Sequence, residues 1–409
     1  MQPSRIRSSF ASLNLLGPVL ASIAIASVAC SASPGTAVGE SSSGVIKGTA
    51  SDESQNAVVL LVMIDRGQGG IGQCTGTMLA PNLVLTARHC VSNTQEGVAC
   101  RADGTPIAGG KITGDKKPED IYVVVGTQRP TRPEANGQGA KLFVTETTNL
   151  CNNDIALVLL KQPIKDVPIA PIRLETPAVK GELVTAVGWG VTDKTQSPNV
   201  RQQRTGIEIS SVGGDAREQI GPTEFSVGES ICSGDSGGPA IAEATGTIVG
   251  VVSRGGNGTN PTSNPASSCL GSNASNIYTG IAGFKELILS AYAEAGQDPW
   301  LEGGPDPRLA KDGEACTESS VCRSNACLQG KCTASCAKSP CTTAGTTCQD
   351  SAGVKVCLPA PAAVGAAADG NTTTTTECSA AGASFDGAWL LGGVGVAALF
   401  ASRRRRKVA

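Results

Sequence analysis

The chain has 409 residues, 33 Lys and Arg against 35 Asp and Glu, a net charge of −2 at pH 7 and 3% aromatic residues. Its length allows two or three domains, and its near-neutral charge gives no electrostatic reason to expect nucleic-acid binding. Any partner must therefore be inferred from a specific site.

The first 44 residues have the form of an export signal followed by a short propeptide. Arg5 and Arg7 precede an apolar run over residues 13–29, and small residues follow it. This order is typical of a secretory signal, so we expect an exported protein, extracellular or on the outer cell surface. Cys30, in "SVAC", resembles a lipoprotein cleavage site, although Ser27 stands where an apolar residue is usual.

The 16 cysteines of this exported chain favour disulfides and fall into separate groups. Cys30 and Cys378 stand apart, beside the two terminal apolar segments. Six cysteines are widely spaced: Cys74, Cys90, Cys100, Cys151, Cys232 and Cys269. Eight crowd together: Cys316, Cys322, Cys327, Cys332, Cys336, Cys341, Cys348 and Cys357. Both groups are even in number, which predicts three and four bridges.

Short apolar runs bounded by turn residues recur between residues 45 and 252. They are "AVVLLVMI", "NLVLTA", "IYVVVG", "IALVLL", "ELVTAVGWG" and "TIVGVVS". Runs of this length predict strands, and little helical periodicity precedes Ile281, so we expect an all-β sandwich or barrel. The segment "IAGFKELILSAYAEA", from Ile281, predicts one amphipathic helix that closes the domain.

The remaining chain predicts four further segments. Residues 297–315 are a linker rich in Gly, Pro and Asp, and residues 316–358 are a Cys-rich module that its bridges must hold together. We interpret the module most simply as a spacer, with carbohydrate or protein binding as the alternative and metal binding less favoured. Residues 359–384 form a low-complexity stalk, and residues 385–409 an apolar segment with an Arg-rich tail. Its sixteen apolar residues span about 24 Å as a helix, short of a bilayer core of about 30 Å.

Three residues offer catalytic chemistry. His89, in "LTARHC", is the single histidine of the chain. Ser236 lies in the glycine-rich segment "ICSGDSGGPA", and Asp154 precedes an apolar run in "CNNDIALVLL". A serine hydroxyl needs a base to become a nucleophile, and a carboxylate can orient that base. Taken singly, a residue in any of these three settings more often has a structural role, in the core or in a turn, than a catalytic one.

In this order, "TARHC", "DIALV" and "GDSGGP" resemble the motifs of the trypsin-like serine proteases. The resemblance extends from Val45 to Gly296, and Trp189, Ser253 and "IYTG" at residues 277–280 agree with it. It implies an all-β fold of two six-stranded antiparallel β-barrels with a C-terminal helix and the site between the barrels. The Cys-rich module and a short C-terminal apolar helix would follow.

The resemblance also assigns roles. Ser236 would be the nucleophile, His89 the general base, Asp154 the group that orients His89, and the N–H groups of Gly234 and Ser236 the oxyanion hole. It implies the bridges Cys74–Cys90 and Cys232–Cys269; we pair the remaining Cys100 and Cys151 with each other. No metal and no cofactor is expected.

Four residues are expected to shape the substrate pocket: Ser230, Ser253, Gly255 and Asn276. Proteases that cut after Arg or Lys carry aspartate where Ser230 stands, so trypsin-like specificity is not expected. Gly255 leaves one wall open, whereas Asn276 replaces a usual glycine in the other. The pocket therefore predicts small or medium uncharged side chains.

"GVIKGT" stands where the family has its activation site. Cleavage after Gly44 would free the amine of Val45, which would then pair with Asp235.

The tail "CSAAGASFDGAWLLGGVGVAALFASRRRRK" resembles the C-terminal sorting signals of myxobacterial surface proteins. We therefore predict a secreted or surface-anchored serine endopeptidase that is monomeric and acts on polypeptides. It would not bind nucleic acid and would contact a membrane, if at all, through its termini. The alternative is a non-catalytic trypsin-fold protein with a binding or adhesion role.

Overall fold

A computed structural model of the protein describes residues 45–361, except 67–68, 132–133, 194–197, 338–339 and 352. The predicted signal and propeptide, most of the stalk and the apolar tail with its predicted helix lie outside the described residues. Among the described residues, those up to 358 belong to one compact unit, and a second unit begins at residue 359. Within the described part of the chain, no helix has the length and hydropathy needed to cross a membrane.

Strands dominate the described chain. The first half contains β1 (Thr49–Ala50), β2 (Val58–Asp65), β3 (Gly70–Ala80), β4 (Leu83–Thr86), β5 (Ser92–Thr94), β6 (Ala99–Cys100), β7 (Pro106–Ala108), β8 (Ile112–Asp115), β9 (Ile121–Val124), β10 (Gly137–Val144) and β11 (Ala156–Leu160). The second half contains β12 (Leu183–Gly188), β13 (Gln202–Val212), β14 (Glu224–Val227), β15 (Pro239–Ala242), β16 (Ile248–Gly256) and β17 (Ser275–Gly280). The Cys-rich module contains β18 (Cys327–Leu328), β19 (Lys331–Cys332), β20 (Thr346–Ser351) and β21 (Val354–Pro359).

Helices are few and mostly short. The α-helices are α1 (Arg88–Val91) and α2 (Lys285–Ala295). Single turns of 3-10 helix occur at Glu53–Gln55, Pro118–Asp120, Pro265–Cys269, Ile281–Phe284 and Ser319–Val321.

Two antiparallel barrels organise these strands. The first is closed in the order β10-β11-β4-β3-β2-β9. The second runs β13-β12-β15-β16-β17-β14 and closes through the β13–β14 pairing, with β1 added beside β13. The predicted fold of two six-stranded antiparallel barrels with one helix near the end of the protease region is thus confirmed.

Strand β4 shows why its sequence is a continuous apolar run. Val84 points into the first barrel, where it packs with Leu61 and Val158. Leu83 and Leu85 point to the other face and belong to the core that includes α2. Because successive side chains of a strand face opposite sides, a strand buried on both faces needs apolar residues throughout.

Helix α2 covers the barrels through one apolar face. Its buried residues are Ile288, Ala291, Tyr292 and Ala295. Their spacing of three and four residues places them on one side of the helix. The Tyr292 hydroxyl donates to the carbonyl of Leu79 at 3.1 Å. Gly296 ends the helix in the left-handed conformation, with φ of 65°, which glycine adopts without steric cost.

The segment of residues 297–310, here called the strap, lies against the protease region. The amide of Ile172 donates to the carbonyl of Trp300 at 2.8 Å, and the amide of Glu302 donates back to Ile172 at 2.9 Å. Arg308 Nη1 donates to the carbonyl of Val167 at 2.8 Å. The sequence predicts a linker here, and the structure gives this segment specific hydrogen bonds to the protease region.

Seven disulfides join the described cysteines, a number typical of extracellular proteins. The protease region has Cys74–Cys90, Cys100–Cys151 and Cys232–Cys269. The Cys-rich module has Cys316–Cys327, Cys322–Cys332, Cys336–Cys348 and Cys341–Cys357.

Candidate active site

Strand pairing brings His89 and Asp154 together. Strands β4 and β11 are antiparallel, with Thr86 opposite Ala156. The residues that follow Thr86 therefore meet those that precede Ala156. His89 Nδ1 lies 2.8 Å from Asp154 Oδ2, and the His89 amide donates to Asp154 Oδ1 at 2.9 Å. One carboxylate thus fixes both the backbone and the ring of the histidine.

The electrostatics of this pair favour an ionised Asp154 and stabilise the protonated form of His89. Asp154 is 1% exposed, and the Ser253 hydroxyl also donates to its Oδ2 at 2.7 Å. Burial alone would raise the pKa of Asp154, but the charge and hydrogen bonds of His89 outweigh it, and the pKa is lowered. Burial likewise opposes protonation of His89, but the charge and hydrogen bond of Asp154 raise its pKa above the ordinary 6.5. A hydrogen at Nδ1 satisfies the carboxylate and leaves Nε2 as the basic nitrogen.

The first barrel holds the loop that carries Ser236. Thr75, on β3, donates its amide to the carbonyl of Ser236 at 2.8 Å and its hydroxyl to the carbonyl of Gly234 at 3.0 Å. Gly237 has φ of 78°, and a Cβ added there would lie 2.1 Å from the hydroxyl oxygen of Thr86. Only glycine fits this position, which explains one glycine of the motif.

The amides of Gly234 and Ser236 donate no hydrogen bond to any residue in the described ranges. Gly234 adopts φ of 100°, a conformation that turns its peptide in a direction other residues rarely allow. Two unused backbone donors beside a serine can receive the oxygen of a carbonyl group.

One cleft of about 700 Å³ is lined by all three predicted catalytic residues. Of the predicted pocket residues, Ser253, Gly255 and Asn276 also line it. Ser230 is fully buried and is not among the described residues that line the cleft.

Asn276 lines the cleft and lies beside Ser230. It pairs with Gly255 across β16 and β17, and a Cβ added at Gly255 would lie 2.1 Å from Asn276 Oδ1. Asn276 Nδ2 donates to the carbonyl of Gly228 at 2.9 Å and lies 3.4 Å from Ser230 Oγ. The Oδ1 atom is buried and has no hydrogen-bond partner among the described residues. The Asn276 amide therefore lies against Gly255 in the wall of the cleft.

Asp235 lies beneath the Ser236 loop as a buried carboxylate. It is 1% exposed and accepts the amides of Gly190 at 2.8 Å and Cys232 at 2.9 Å. Burial raises its pKa to about 7, against the lowering effect of these two hydrogen bonds and of Arg129. Because burial disfavours the charged form of this carboxylate, a cationic partner would stabilise it.

Val45 and Ile46 are both fully buried. Val45 belongs to the apolar core of the second barrel, together with Tyr278. Its φ is 58°, which is strained for a β-branched residue.

Sequence reasoning missed two charged groups near this site. Arg254, next to Ser253, binds the buried Glu224 with both ends of its guanidinium, at 2.6 and 2.8 Å. Arg129 binds the backbone at Trp189. Arg254 was visible as a charge inside the apolar run "VVSRG"; Arg129 lies in a polar loop that carries no such signal.

The residues near His89 do not form a thiolate metal site. Cys74 Sγ and Cys90 Sγ lie within 4.8 Å of a His89 ring nitrogen, but the two sulfur atoms are bonded to each other. Zinc binds cysteine as the free thiolate, which these residues do not offer.

Residues 46–269 match the Trypsin family. The chain is 27% identical over 190 residues to mannan-binding lectin serine protease 1 of Homo sapiens, covering 41% of this chain and 25% of that protein. It is 25% identical over 191 residues to trypsin of Saccharopolyspora erythraea, covering 44% and 75%. It is 27% identical over 241 residues to kallikrein-1 of Mus musculus, covering 54% and 81%.

The chain spans only about a quarter of the length of its human relative. The family match includes His89, Asp154 and Ser236 and extends over more than half of the 409 residues. The relatives support a serine peptidase in general, and the chain belongs to the trypsin family.

Proposed function

We propose that the protein is a serine endopeptidase that hydrolyses polypeptides through Ser236, His89 and Asp154. The observation that carries this proposal is the carboxylate of Asp154, which binds both the ring and the amide of the only histidine in the chain, in the cleft that Ser236 lines.

In the first step Ser236 Oγ attacks the carbonyl carbon of the substrate and gives its proton to His89 Nε2. Asp154 stabilises the imidazolium that forms, and the amides of Gly234 and Ser236 donate to the oxyanion. When the tetrahedral intermediate collapses, the C–N bond breaks. His89 gives its proton to the leaving amine, and the acyl group remains on Ser236.

In the second step water replaces the amine. His89 takes a proton from the water as its oxygen attacks the acyl carbon. The bond to Ser236 Oγ then breaks, the proton returns to Oγ, and the carboxylic acid leaves.

The pocket supports a preference for small or medium uncharged side chains before the cut bond. No carboxylate occupies position 230, so a basic side chain would find no counter-charge at that position. Asn276 also shortens the pocket at the level of Gly255. Together these features oppose both trypsin-like specificity and large apolar side chains.

Cleavage after Gly44 is the proposed activation step. The freed amine of Val45 would become the cationic partner of Asp235, whose buried carboxylate supports such a pairing. Cleavage would also remove the peptide bond that defines φ of Val45, and with it a strain of about 1–3 kcal/mol. Amino-terminal sequencing of the mature protein should return Val-Ile-Lys-Gly; a different start would contradict this site.

We further propose that the protein is exported and works as a monomer, outside the cell or anchored through its tail at the cell surface. The seven disulfides support an oxidising compartment. The signal and the tail that would direct export and anchoring lie outside the described residues.

Hydrolysis of a peptide library by protein cleaved before Val45, followed by mass spectrometry, tests the proposal. We expect cuts inside peptides, after small or medium uncharged residues, and none with Ser236→Ala. Absence of hydrolysis by the cleaved wild-type chain would favour the alternative of a non-catalytic trypsin-fold binding or adhesion protein.

A further inference from the structure

Arg129 connects the two halves of the protease region. It follows β9 of the first barrel, and its Nη1 donates to Gln73 Oε1 on β3. Its Nη2 donates to the carbonyl of Trp189 at 2.6 Å, and its Nε donates to the carbonyl of Pro198 at 2.8 Å. The guanidinium also lies 5.6 Å from the Trp189 ring centroid. Arg129 thus ties the segment after β12 to the first barrel.

One peptide unit lies between Arg129 and Asp235. The carbonyl of Trp189 accepts from the guanidinium, and the N–H of the same peptide, on Gly190, donates to Asp235 Oδ1 at 2.8 Å. The peptide dipole therefore points its negative end at a cation and its positive end at an anion. Each hydrogen bond is charge-assisted, and each strengthens the other.

This peptide and the Ser236 loop cannot move independently. A Cβ on Gly190 would lie 2.5 Å from Asp235 Cγ, and one on Gly234 would lie 2.9 Å from Gly190 Cα. Thr75 Oγ1 adds a second link, because it accepts the Trp189 amide at 3.2 Å and donates to Gly234. A displacement of residues 189–190 would therefore be passed to the predicted oxyanion hole.

We propose that Arg129 is a positioning residue that holds Asp235, and with it the oxyanion-hole loop, before the chain is cut at Val45. In the uncut chain Val45 is joined to Gly44 and has no free amine, whereas Arg129 already supplies a positive field at this carboxylate. After cleavage the Val45 amine adds a second positive charge at the Asp235 carboxylate. The inference rests on the proposed function. It predicts that Ser236 of the uncut chain already has part of the reactivity that it has after cleavage.

The test compares wild type, Arg129→Gln and Arg129→Lys, each as the uncut full chain and as a chain cut before Val45. To make the cut form, the recognition sequence of a site-specific protease replaces the residues that end at position 44. That protease then cuts the chain directly before Val45. The rate of fluorophosphonate labelling at Ser236 is measured for all six proteins. Arg129→Gln should slow labelling of the uncut chain about tenfold and of the cut chain less than about threefold. In the uncut chain, Arg129→Lys should be labelled faster than Arg129→Gln but more slowly than the wild type. Lysine keeps the positive charge but lacks the several N–H donors of the planar guanidinium.

Arg66→Gln is the matched control, because it removes an exposed arginine of the same barrel that is paired with Asp120. It should leave labelling unchanged. Equal losses in the cut and uncut forms of Arg129→Gln, or no loss in the uncut form, would overturn the inference.

Hydrogen exchange separates this inference from the proposed function. Arg129→Gln should speed exchange of the Gly190 and Cys232 amides in the uncut chain and leave α2 unchanged. If the cut wild type is not labelled, the proposed function fails, and the exchange result alone decides the role of Arg129. Unchanged exchange at both amides would overturn that role.

Discussion

Asp154 binds two other residues that line the cleft, His89 and Ser253. Its two oxygens accept the His89 ring, the His89 amide and the Ser253 hydroxyl. Sequence reasoning placed Ser253 in the substrate pocket; the structure also places its hydroxyl on Asp154. Three hydrogen bonds to a carboxylate that is 1% exposed explain why this side chain stays ionised.

Asp154→Asn should lower kcat by about two to four orders of magnitude, because an uncharged amide cannot stabilise the imidazolium and an amide N–H facing Nδ1 favours the wrong tautomer of His89. In the wild type the pKa of His89 is raised above 6.5, so activity should rise with pH through a midpoint above that value. Loss of the carboxylate charge should move this midpoint to lower pH. The pH profile of kcat/KM checks both shifts; an unchanged midpoint would mean that Asp154 does not act on His89.

Asn276→Gly should lengthen the substrate pocket. Removal of the side chain frees the space beside Gly255 and opens a path to Ser230. Peptides with Leu or Phe before the cut bond should gain at least about tenfold in kcat/KM relative to Ala peptides, since each added buried methylene contributes about 0.8 kcal/mol. Ser267→Gly, in the nearby 3-10 helix, is a control for the loss of a polar side chain. An unchanged ranking of peptides would show that Asn276 does not limit the pocket.

At the level of secondary structure, prediction succeeded where strands are buried on both faces. The predicted run over residues 155–160 is β11, and "NLVLTA" contains β4. It missed β3 and β13, because their glycines and polar residues hide the alternation of a strand. The barrel supplies the pairing partners that stabilise such strands, and this tertiary contribution is not visible in local sequence. Local motifs predicted His89, Asp154 and Ser236 as site residues. They could not predict Arg129, because its role depends on tertiary contacts.

The strap depends on a charged cluster around Glu302. Arg173 binds Glu302 through Nε and Nη2, both at 2.8 Å, and Thr247 donates to Glu302 at 2.9 Å. The hydrogen bond from Arg173 is the main cause that lowers the pKa of Glu302 to about 2.

Glu302→Gln should therefore lower the free energy of unfolding by about 1–2 kcal/mol near pH 7. Because the folded pKa is lowered, this contribution is present above the unfolded value of about 4.5 and is lost as the pH falls towards 2. Thermal unfolding of both proteins at pH 7 and pH 3 measures the difference, which should shrink at the lower pH. A constant difference would assign the effect to packing instead of charge.

On the scale of the whole molecule, the carboxylate of Asp235 would link the cut at the amino terminus to the catalytic loop. Its folded pKa of about 7 lies above the ordinary 3.8. In the uncut chain the stability that comes from the protonated form is complete below pH 3.8 and is lost as the pH rises to about 7.

The uncut wild type should therefore lose stability between pH 4 and pH 7 relative to Asp235→Asn, which does not titrate. In the cut chain the Val45 amine should lower the pKa of Asp235 and flatten this slope. Urea unfolding of the four proteins across this pH range measures both effects. Identical slopes in the cut and uncut chains would contradict the pairing of Val45 with Asp235.

The most direct test of the central claim is the reaction of protein cleaved before Val45 with a fluorophosphonate, located by peptide mass mapping. The account predicts one labelled residue, Ser236, and no labelling in Ser236→Ala or after acid unfolding of the wild type. Labelling should also fall by orders of magnitude in His89→Ala, because the serine would lose its base. An unlabelled Ser236 in the folded, correctly cleaved protein would contradict the account.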